Sequence, residues 1–231
     1  MKSARYQFVA IMGTIMGAAG IEHGVGEFLQ GNIAPDGVMI QSWPHSAFFQ
    51  SLNGEPALTV LPNLRLTGLL AIGFSLLYAI WAIYFAQSKY NRWILMLLAI
   101  PMLLFGGGIF PPILGLLIGT AASEFRSPIR QKSVGGVARF LGRSWRWILC
   151  ACCVSWLILF PGISVLNYFF GVDSVPFTLI VMITAFLFLF VAYKSSIQHD
   201  RLKLEGLRNK KGKPIIQMVT PHPLTPKALD E

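Results

Sequence analysis

The sequence predicts an all-α fold, a multi-pass integral membrane bundle of about six helical segments that includes one short hairpin. Composition is the first reason, because only 13% of the 231 residues are charged and 54% are apolar, whereas about a quarter are charged in an average soluble domain. Block length is the second, since the apolar stretches approach the roughly 20 residues that a helix needs to cross a bilayer. Lipid offers no hydrogen-bond partners to an open backbone, so these stretches are predicted to be helical.

Four apolar blocks are uninterrupted, and each predicts one span. They cover residues 6–29, 64–85, 147–170 and 175–193. A fifth region, residues 93–122, is also apolar but is broken by three glycines that start at Gly106 and by a proline pair that ends at Pro112. Glycine relaxes the backbone and proline cannot donate a helical hydrogen bond. We therefore expect a turn between Gly106 and Pro112, after which the chain returns as the second arm of a hairpin.

The distribution of lysine and arginine favours this hairpin. If residues 93–122 crossed the bilayer once, the arginine-rich loop 126–146 would lie opposite the loop that carries Lys89 and Arg92, against the positive-inside rule. A hairpin places both loops and both termini in the cytoplasm and leaves Arg65 as the one outer cation. We therefore predict a cell-membrane protein with cytoplasmic termini.

The apolar pattern of the first block continues past its small residues, so we interpret it as a span and not as a cleaved signal peptide.

The arms of this hairpin are short. Residues 93–105 would span roughly 20 Å as a helix, whereas the hydrocarbon core is about 30 Å thick. One interpretation is a simple tight hairpin in a locally thinned bilayer. The other is a re-entrant turn that lines an outer vestibule, since irregular backbone at membrane depth is tolerated beside protein or water.

The chain is predicted to divide into a transmembrane domain, residues 1–193, and a basic, partly disordered cytoplasmic tail, residues 194–231. Its net charge of +9 is concentrated in the loop 126–146 and in the tail, where it would face the anionic lipids of the inner leaflet. Several prolines near the end of the chain favour disorder there. The bilayer therefore accounts for the basic residues, and no nucleic-acid partner is predicted.

Three ionisable residues lie inside the first apolar block: Glu22, His23 and Glu27. Such groups are costly at membrane depth and are functional-site candidates. His23 and Glu27 are four residues apart, so their side chains can meet on one helix face. Arg65 is the natural outer counter-charge. We predict that these four residues form an outward-facing site that binds a substrate, an ion or a proton.

The chemistry of this cluster has more than one interpretation. Carboxyl and imidazole groups can exchange protons or bind cations, and both can ligate a metal, although their spacing matches no recognised metal motif. The structural alternative is that the side chains snorkel at the outer helix end and bond to the following loop. No particular cofactor is indicated.

Glycines in the first block form a stripe. Gly13, Gly17, Gly20 and Gly24 recur at steps of four, three and four residues, a spacing that lets another helix approach closely. The partner would be another segment of the bundle, another membrane protein or a second copy of the chain.

The predicted outer loop, residues 31–63, carries Glu55 and a turn signal at Asn53 and Gly54. Its aromatic segment from Trp43 is predicted to form a short helix, either a lid over the bundle or an anchor at the interface.

Missing motifs narrow the function. The chain has no Walker-type phosphate loop, HExxH, GxSxG or dinucleotide fingerprint, which argues against an ATPase, a zincin protease and an ordinary serine hydrolase. The leading hypothesis is a small transporter, or transporter subunit, for an ion or small polar solute. A membrane-embedded enzyme and a non-catalytic assembly protein are the alternatives.

Overall fold

A computed structural model describes residues 3–122, 135–172 and 174–211, and this part of the chain is mostly helical. Its α-helices are α1 Ala4–Leu29, α2 Leu64–Tyr84, α3 Asn91–Leu104, α4 Phe110–Ala122, α5 Gly136–Arg143, α6 Trp145–Leu157, α7 Ile163–Phe170 and α8 Val175–Lys211. A π-helical segment, Ile158–Gly162, makes α6 and α7 continuous. Between α1 and α2 lie a 3₁₀ helix, Ala47–Leu52, and an antiparallel strand pair, β1 Met39–Gln41 and β2 Pro56–Leu58, with Ile40 opposite Ala57.

Four helices of the described chain are long and apolar enough to cross a membrane. They are Ala4–Leu29, Leu64–Tyr84, Trp145–Phe170 and Val175–Leu207. The all-α class is therefore confirmed, and the four helices are compatible with a multi-pass membrane protein. Helices α3 and α4 are also apolar, but they contain only 14 and 13 residues, so their length does not establish two further spans and the count of six stays a prediction.

Helices α3 and α4 form an antiparallel hairpin. A Cβ atom built on Gly115 would lie 3.2 Å from the Ala99 Cβ, and one on Gly119 would lie 2.9 Å from Met96, so the two helices run in opposite directions. The connecting turn covers residues 105–109. It is shorter than predicted, because α4 begins at Phe110 and both prolines lie in its first turn, where a missing N–H breaks no intrahelical bond.

The glycine stripe of α1 is occupied by α2. A Cβ on Gly17 would lie 2.7 Å from the Ala79 Cβ, one on Gly24 would lie 2.9 Å from the Gly68 carbonyl oxygen, and Gly13 faces Ala82. The contacts run in reverse order along the two chains, so these helices are antiparallel as well. The close partner suggested by the stripe is therefore a helix of the same chain, and neither a second protein nor a second copy is needed to cover this face.

The N-terminal end of α1 is held by contacts with α2 and α8. Asp200 accepts hydrogen bonds from the Ala4 N–H at 2.8 Å and from the Arg5 Nε at 3.0 Å, and the Tyr6 hydroxyl donates to the carbonyl oxygen of Ile83. Helix α8 continues well past residue 194, where the tail was predicted to begin, and ends at Lys211. The start of α1, the end of α2 and the second half of α8 therefore lie at one end of the bundle.

Helix α5 lies at the same end. The Ser195 hydroxyl donates to the Leu141 carbonyl oxygen at 2.7 Å, and the His199 Nδ1 lies 2.8 Å from the Gly142 carbonyl oxygen. Helix α5 lies in the predicted basic loop, of which the structure describes residues 135–146. Residues 126–134 of that loop and residues 212–231 of the tail lie outside the described residues. The glycine stripe fixes α1 against α2, and the contacts of Ala4, Arg5 and Tyr6 fix its N-terminal end. Together they position the polar residues of α1.

Candidate functional site

The chain that follows α1 folds back onto that helix. The Asn53 and Gly54 turn lets the Trp43 N–H donate to the Gly54 carbonyl oxygen at 2.8 Å and the Ser42 N–H donate to the Glu55 carbonyl oxygen at 3.0 Å. The Gln30 side chain on α1 donates to the Ser42 carbonyl oxygen at 3.0 Å. These bonds bring Glu55 to the C-terminal end of α1.

Glu22, His23 and Glu55 converge there. The His23 Nδ1 lies 3.0 Å from the Glu22 Oε2 and 3.4 Å from the Glu55 Oε2, and the three ligand atoms all lie within 4.8 Å of one another. The side chains of His23 and Glu55 are 7% and 6% exposed, whereas that of Glu22 is 36% exposed. The cluster is therefore buried except on the Glu22 side, and we call these three residues the acid–imidazole cluster.

Trp43 orients the exposed member of this cluster. Its indole Nε1 donates a hydrogen bond to the Glu22 Oε1, and its ring stacks on Phe49 with centroids 5.3 Å apart. A Cβ on Gly26 would lie 2.6 Å from the Trp43 ring, so glycine at this position lets the indole rest on α1. The aromatic segment thus lies over α1 as a cover, the first of the two roles predicted for it.

Glu27 lies beside the cluster and is fully buried. The Ser42 hydroxyl donates to its Oε1 at 3.1 Å, while its Oε2 has no hydrogen-bond partner. No hydrogen bond or ion pair joins it to His23, although the helical spacing allowed one. The Glu27 carboxylate lies instead against the α3–α4 turn.

Two glycines of that turn contact the acidic face of α1. Gly106 has a φ of +86° and lies against the Glu27 carboxylate, and Gly108 has a φ of +77° and would place a Cβ 2.5 Å from the His23 Nε2. Both the left-handed backbone and the lack of space favour glycine. The turn therefore lies directly against the acidic residues of α1.

The outer loop and the turn are also bonded to each other. The Gly106 N–H donates to the Leu58 carbonyl oxygen at 2.7 Å, and the Val60 N–H donates to the Leu104 carbonyl oxygen at 3.1 Å. The turn is therefore bonded to β2, the strand that directly follows Glu55.

The cluster has an excess of acidic groups. Glu22, Glu27 and Glu55 form no ion pair with any lysine or arginine in the part of the chain that the structure describes. Burial, together with the nearby Glu22 carboxylate, raises the pKa of Glu55 to about 9. The missing counter-charge must come from bound protons or from a bound cation, because an uncompensated buried carboxylate is strongly disfavoured.

Arg65 does not supply this charge. Its guanidinium lies over the Phe28 ring, 5.0 Å from the centroid. Of the four residues predicted for the site, the structure thus brings Glu22 and His23 together, places Glu27 next to them and sets Arg65 on an aromatic ring. Glu55 was missed as a site residue. The Asn53 and Gly54 turn was its signal, since this dipeptide predicts a hairpin that returns the following residues to the preceding ones.

A cleft lies next to the cluster on the loop side. Its volume is about 400 Å³, and its walls include Gln41, Trp43, His45, Ser46, Gln50 and Asn53. Trp43 both lines this cleft and donates to Glu22, so it separates the cleft from the cluster.

No protein-family model matches the sequence, and neither a curated protein nor a solved structure shows a significant similarity to it. The function is therefore inferred from the residues of the site and their geometry. An imidazole nitrogen and two carboxylate oxygens that converge, with no lysine or arginine paired to them among the described residues, are suited to binding a cation.

Proposed function

We propose that this protein is a small multi-pass membrane transporter, or transporter subunit, that binds an ion or small polar solute of positive charge at an outward-facing site. The site consists of Glu22, His23 and Glu55, with Glu27 beside them. The observation that carries the proposal is that Glu55 of the outer loop meets His23 and Glu22 of α1, with no lysine or arginine paired to either glutamate among the described residues. A positive substrate would supply the missing counter-charge, and ionisable groups inside membrane proteins commonly mark substrate and ion pathways.

The proposed topology has six membrane segments and both termini in the cytoplasm of a cell membrane. The antiparallel contacts of α3 with α4 support it, as does the meeting of Ala4 with Asp200 at one end of the bundle. At that end α5 exposes Val137 and Phe140 next to basic residues, which suits a helix at the surface of the anionic inner leaflet.

Polar groups also continue from the site toward the opposite end. Gly20, one helical turn before His23, faces the Ser75 side chain of α2. Ser75 is fully buried, and its hydroxyl has no hydrogen-bond partner. One turn further along α2, the Tyr78 hydroxyl donates to the Gly115 carbonyl oxygen at 2.9 Å. We propose that a cation leaving the cluster would pass these oxygens.

The test is cation uptake by proteoliposomes that contain the purified, tag-free protein. H⁺, Na⁺, K⁺, Mn²⁺ and Zn²⁺ would be offered in turn to wild type, Glu22→Gln, Glu55→Gln and Asp36→Asn. Asp36 is exposed in the same loop and serves as the matched control. We expect uptake of at least one cation by wild type and Asp36→Asn and its loss in both glutamate variants. Uptake no faster than in empty liposomes, or uptake insensitive to both glutamates, would contradict the proposal.

A membrane-embedded enzyme is the second candidate, favoured by the cleft of about 400 Å³ beside the cluster. His45 in its wall could act on a bound substrate together with an ion held by the cluster. This candidate predicts turnover of a small molecule by detergent-solubilised protein, with no flux across the liposome membrane.

A further inference from the structure

We propose that Glu22, His23 and Glu55 bind one divalent transition-metal ion. This inference rests on the proposed function, because it names the class of cation that the same site receives. Its basis is the ligand set: two carboxylate oxygens and one imidazole nitrogen at a single point, contributed by α1 and by the outer loop.

The two separations measured from the His23 Nδ1 suit an ion of this class. Metal–ligand bonds of about 2.1 Å place neighbouring ligands about 3.0 Å apart in an octahedral site and about 3.4 Å apart in a tetrahedral one. The His23 Nδ1 lies 3.0 Å from the Glu22 Oε2 and 3.4 Å from the Glu55 Oε2. Both separations are compatible with an ion bound between the ligands, and the Glu22 and Glu55 oxygens lie within 4.8 Å of each other.

The Glu55 carboxylate points to a ligand independently of the α1 sequence. Glu55 is 5% exposed, and its Oε2 has no hydrogen-bond donor. Its 3.4 Å approach to the His23 Nδ1 is an electrostatic contact without hydrogen-bond geometry. A buried carboxylate oxygen that lacks a donor and faces two other ligand atoms is satisfied when a cation binds between them.

Neighbouring groups already hold the ligands in a suitable orientation. The Trp43 indole donates to the Glu22 Oε1, which leaves the Glu22 Oε2 available and fixes the carboxylate plane, the role that outer partners play in metal sites. The His23 Nδ1 lies 3.1 Å from the Ala19 carbonyl oxygen, so it carries the ring proton when no metal is bound. Metal binding then requires the other tautomer of the neutral imidazole, in which this proton has moved to the Nε2 and the Nδ1 lone pair is free for the ion.

The charge and the ligand types select the metal class. Two ionised carboxylates and a neutral imidazole carry a charge of −2, which a divalent ion neutralises. The nitrogen ligand favours Mn²⁺, Fe²⁺, Co²⁺ or Zn²⁺ over Mg²⁺ and Ca²⁺, which prefer oxygen alone. The absence of a thiolate from the cluster disfavours Cu⁺.

The experiment is isothermal titration of tag-free, chelator-stripped protein in nanodiscs with Mn²⁺ and Zn²⁺, and with Mg²⁺ for comparison. We expect one transition-metal ion per chain and at least tenfold weaker binding of Mg²⁺. Glu55→Gln and His23→Gln should each weaken binding at least tenfold, Trp43→Phe should weaken it about tenfold or more by releasing Glu22, and Asp36→Asn should bind as wild type does.

A measurement on wild type keeps the test independent of the folding of the variants. Pulsed EPR of the Mn²⁺-loaded protein should detect coupling to one histidine nitrogen. Absence of a bound ion, absence of the nitrogen coupling, or wild-type affinity in folded Glu55→Gln would each overturn the metal site. If no transition metal binds but uptake of another cation still depends on Glu22, only this inference fails. If the metal binds as described but no cation crosses the liposome membrane, only the transport function fails.

Discussion

Glu55 has a backbone conformation that few non-glycine residues adopt. Its φ is +55°, in the left-handed region, which costs of order 1 kcal/mol or more for a side chain of this kind. The conformation is held by the hydrogen bond from the Ser42 N–H to the Glu55 carbonyl oxygen. Strain of this type is concentrated at functional sites, which agrees with a role for this carboxylate in binding.

The stability of metal-free protein should depend on pH through Glu55. Its pKa is about 9 in the folded protein, whereas the ordinary value of 4.5 applies to the unfolded chain. Between pH 4.5 and about pH 9 the folded state therefore holds a proton that the unfolded state has released. Stability is therefore full below about pH 4.5 and falls as pH rises toward 9. Thermal unfolding of chelator-treated protein should show this fall in wild type and a clearly smaller one in Glu55→Gln. Parallel pH profiles for the two proteins would contradict the burial of this group.

The glycines of the α3–α4 turn should not tolerate a side chain. Gly106→Ala would press a methyl group onto the Glu27 carboxylate, and Gly108→Ala would place one 2.5 Å from the His23 ring. Gly171→Ala is the matched control, because its φ is also positive but nothing lies within 4 Å. The control should cost about 1 kcal/mol, and the two turn variants should melt at distinctly lower temperatures and weaken ligand binding. Three equal melting temperatures would remove the contact between the turn and the cluster.

Among the helices, the antiparallel packing of α1 on α2 determines the position of the site. Small residues on both helices let their backbones approach closely. The stripe ends at Gly24, next to His23. Gly17→Leu and Gly20→Leu should therefore lower the folded yield sharply. Gly73→Leu on α2 and Gly135→Leu before α5 should be tolerated, since nothing lies within 4 Å of either glycine. Size-exclusion profiles after detergent extraction measure this, and equal yields for all four would contradict the packing role of the stripe.

The helices were predictable because their signals are local. Apolar length and the glycine spacing of residues 6–29 predicted α1 and its packing face, and the glycines from Gly106 predicted the hairpin. The prolines were placed in the break, whereas they begin α4, because proline is compatible with either a turn or a first helical turn.

The composition of the site was only partly predictable. Glu22 and His23 were identified from their depth in an apolar block. Glu55 was not, because its contact with His23 depends on a strand pairing and on a loop that returns over α1, and neither is encoded by spacing along one helix. Arg65 was assigned to the site by charge alone, but its guanidinium finds the Phe28 ring instead.

The molecule as a whole has two distinct ends. The acid–imidazole cluster, the outer loop and the α3–α4 turn lie at one end, and Ala4, Asp200 and α5 lie at the other. This separation matches the proposed orientation, in which basic residues face the inner leaflet.

Single-cysteine accessibility in intact cells tests that orientation. Gly37→Cys should react with an impermeant reagent from outside, while Gln87→Cys and Lys203→Cys should react only after the membrane is permeabilised; all three positions are exposed. Ser133→Cys, outside the described residues, should behave like Gln87→Cys. An external label at Ser133 would mean that residues 93–122 cross the membrane once, against the six-segment topology.

In the proposed site, the outer loop carries Glu55 onto α1 and so completes a cation site with Glu22 and His23. The most direct measurement is an anomalous difference map from crystals of the full chain grown with Mn²⁺. We expect one peak about 2.0–2.3 Å from the His23 Nδ1 and from one oxygen each of Glu22 and Glu55. Crystals with Glu55 turned away from α1, or with Mn²⁺ bound elsewhere and no peak at His23, would contradict it.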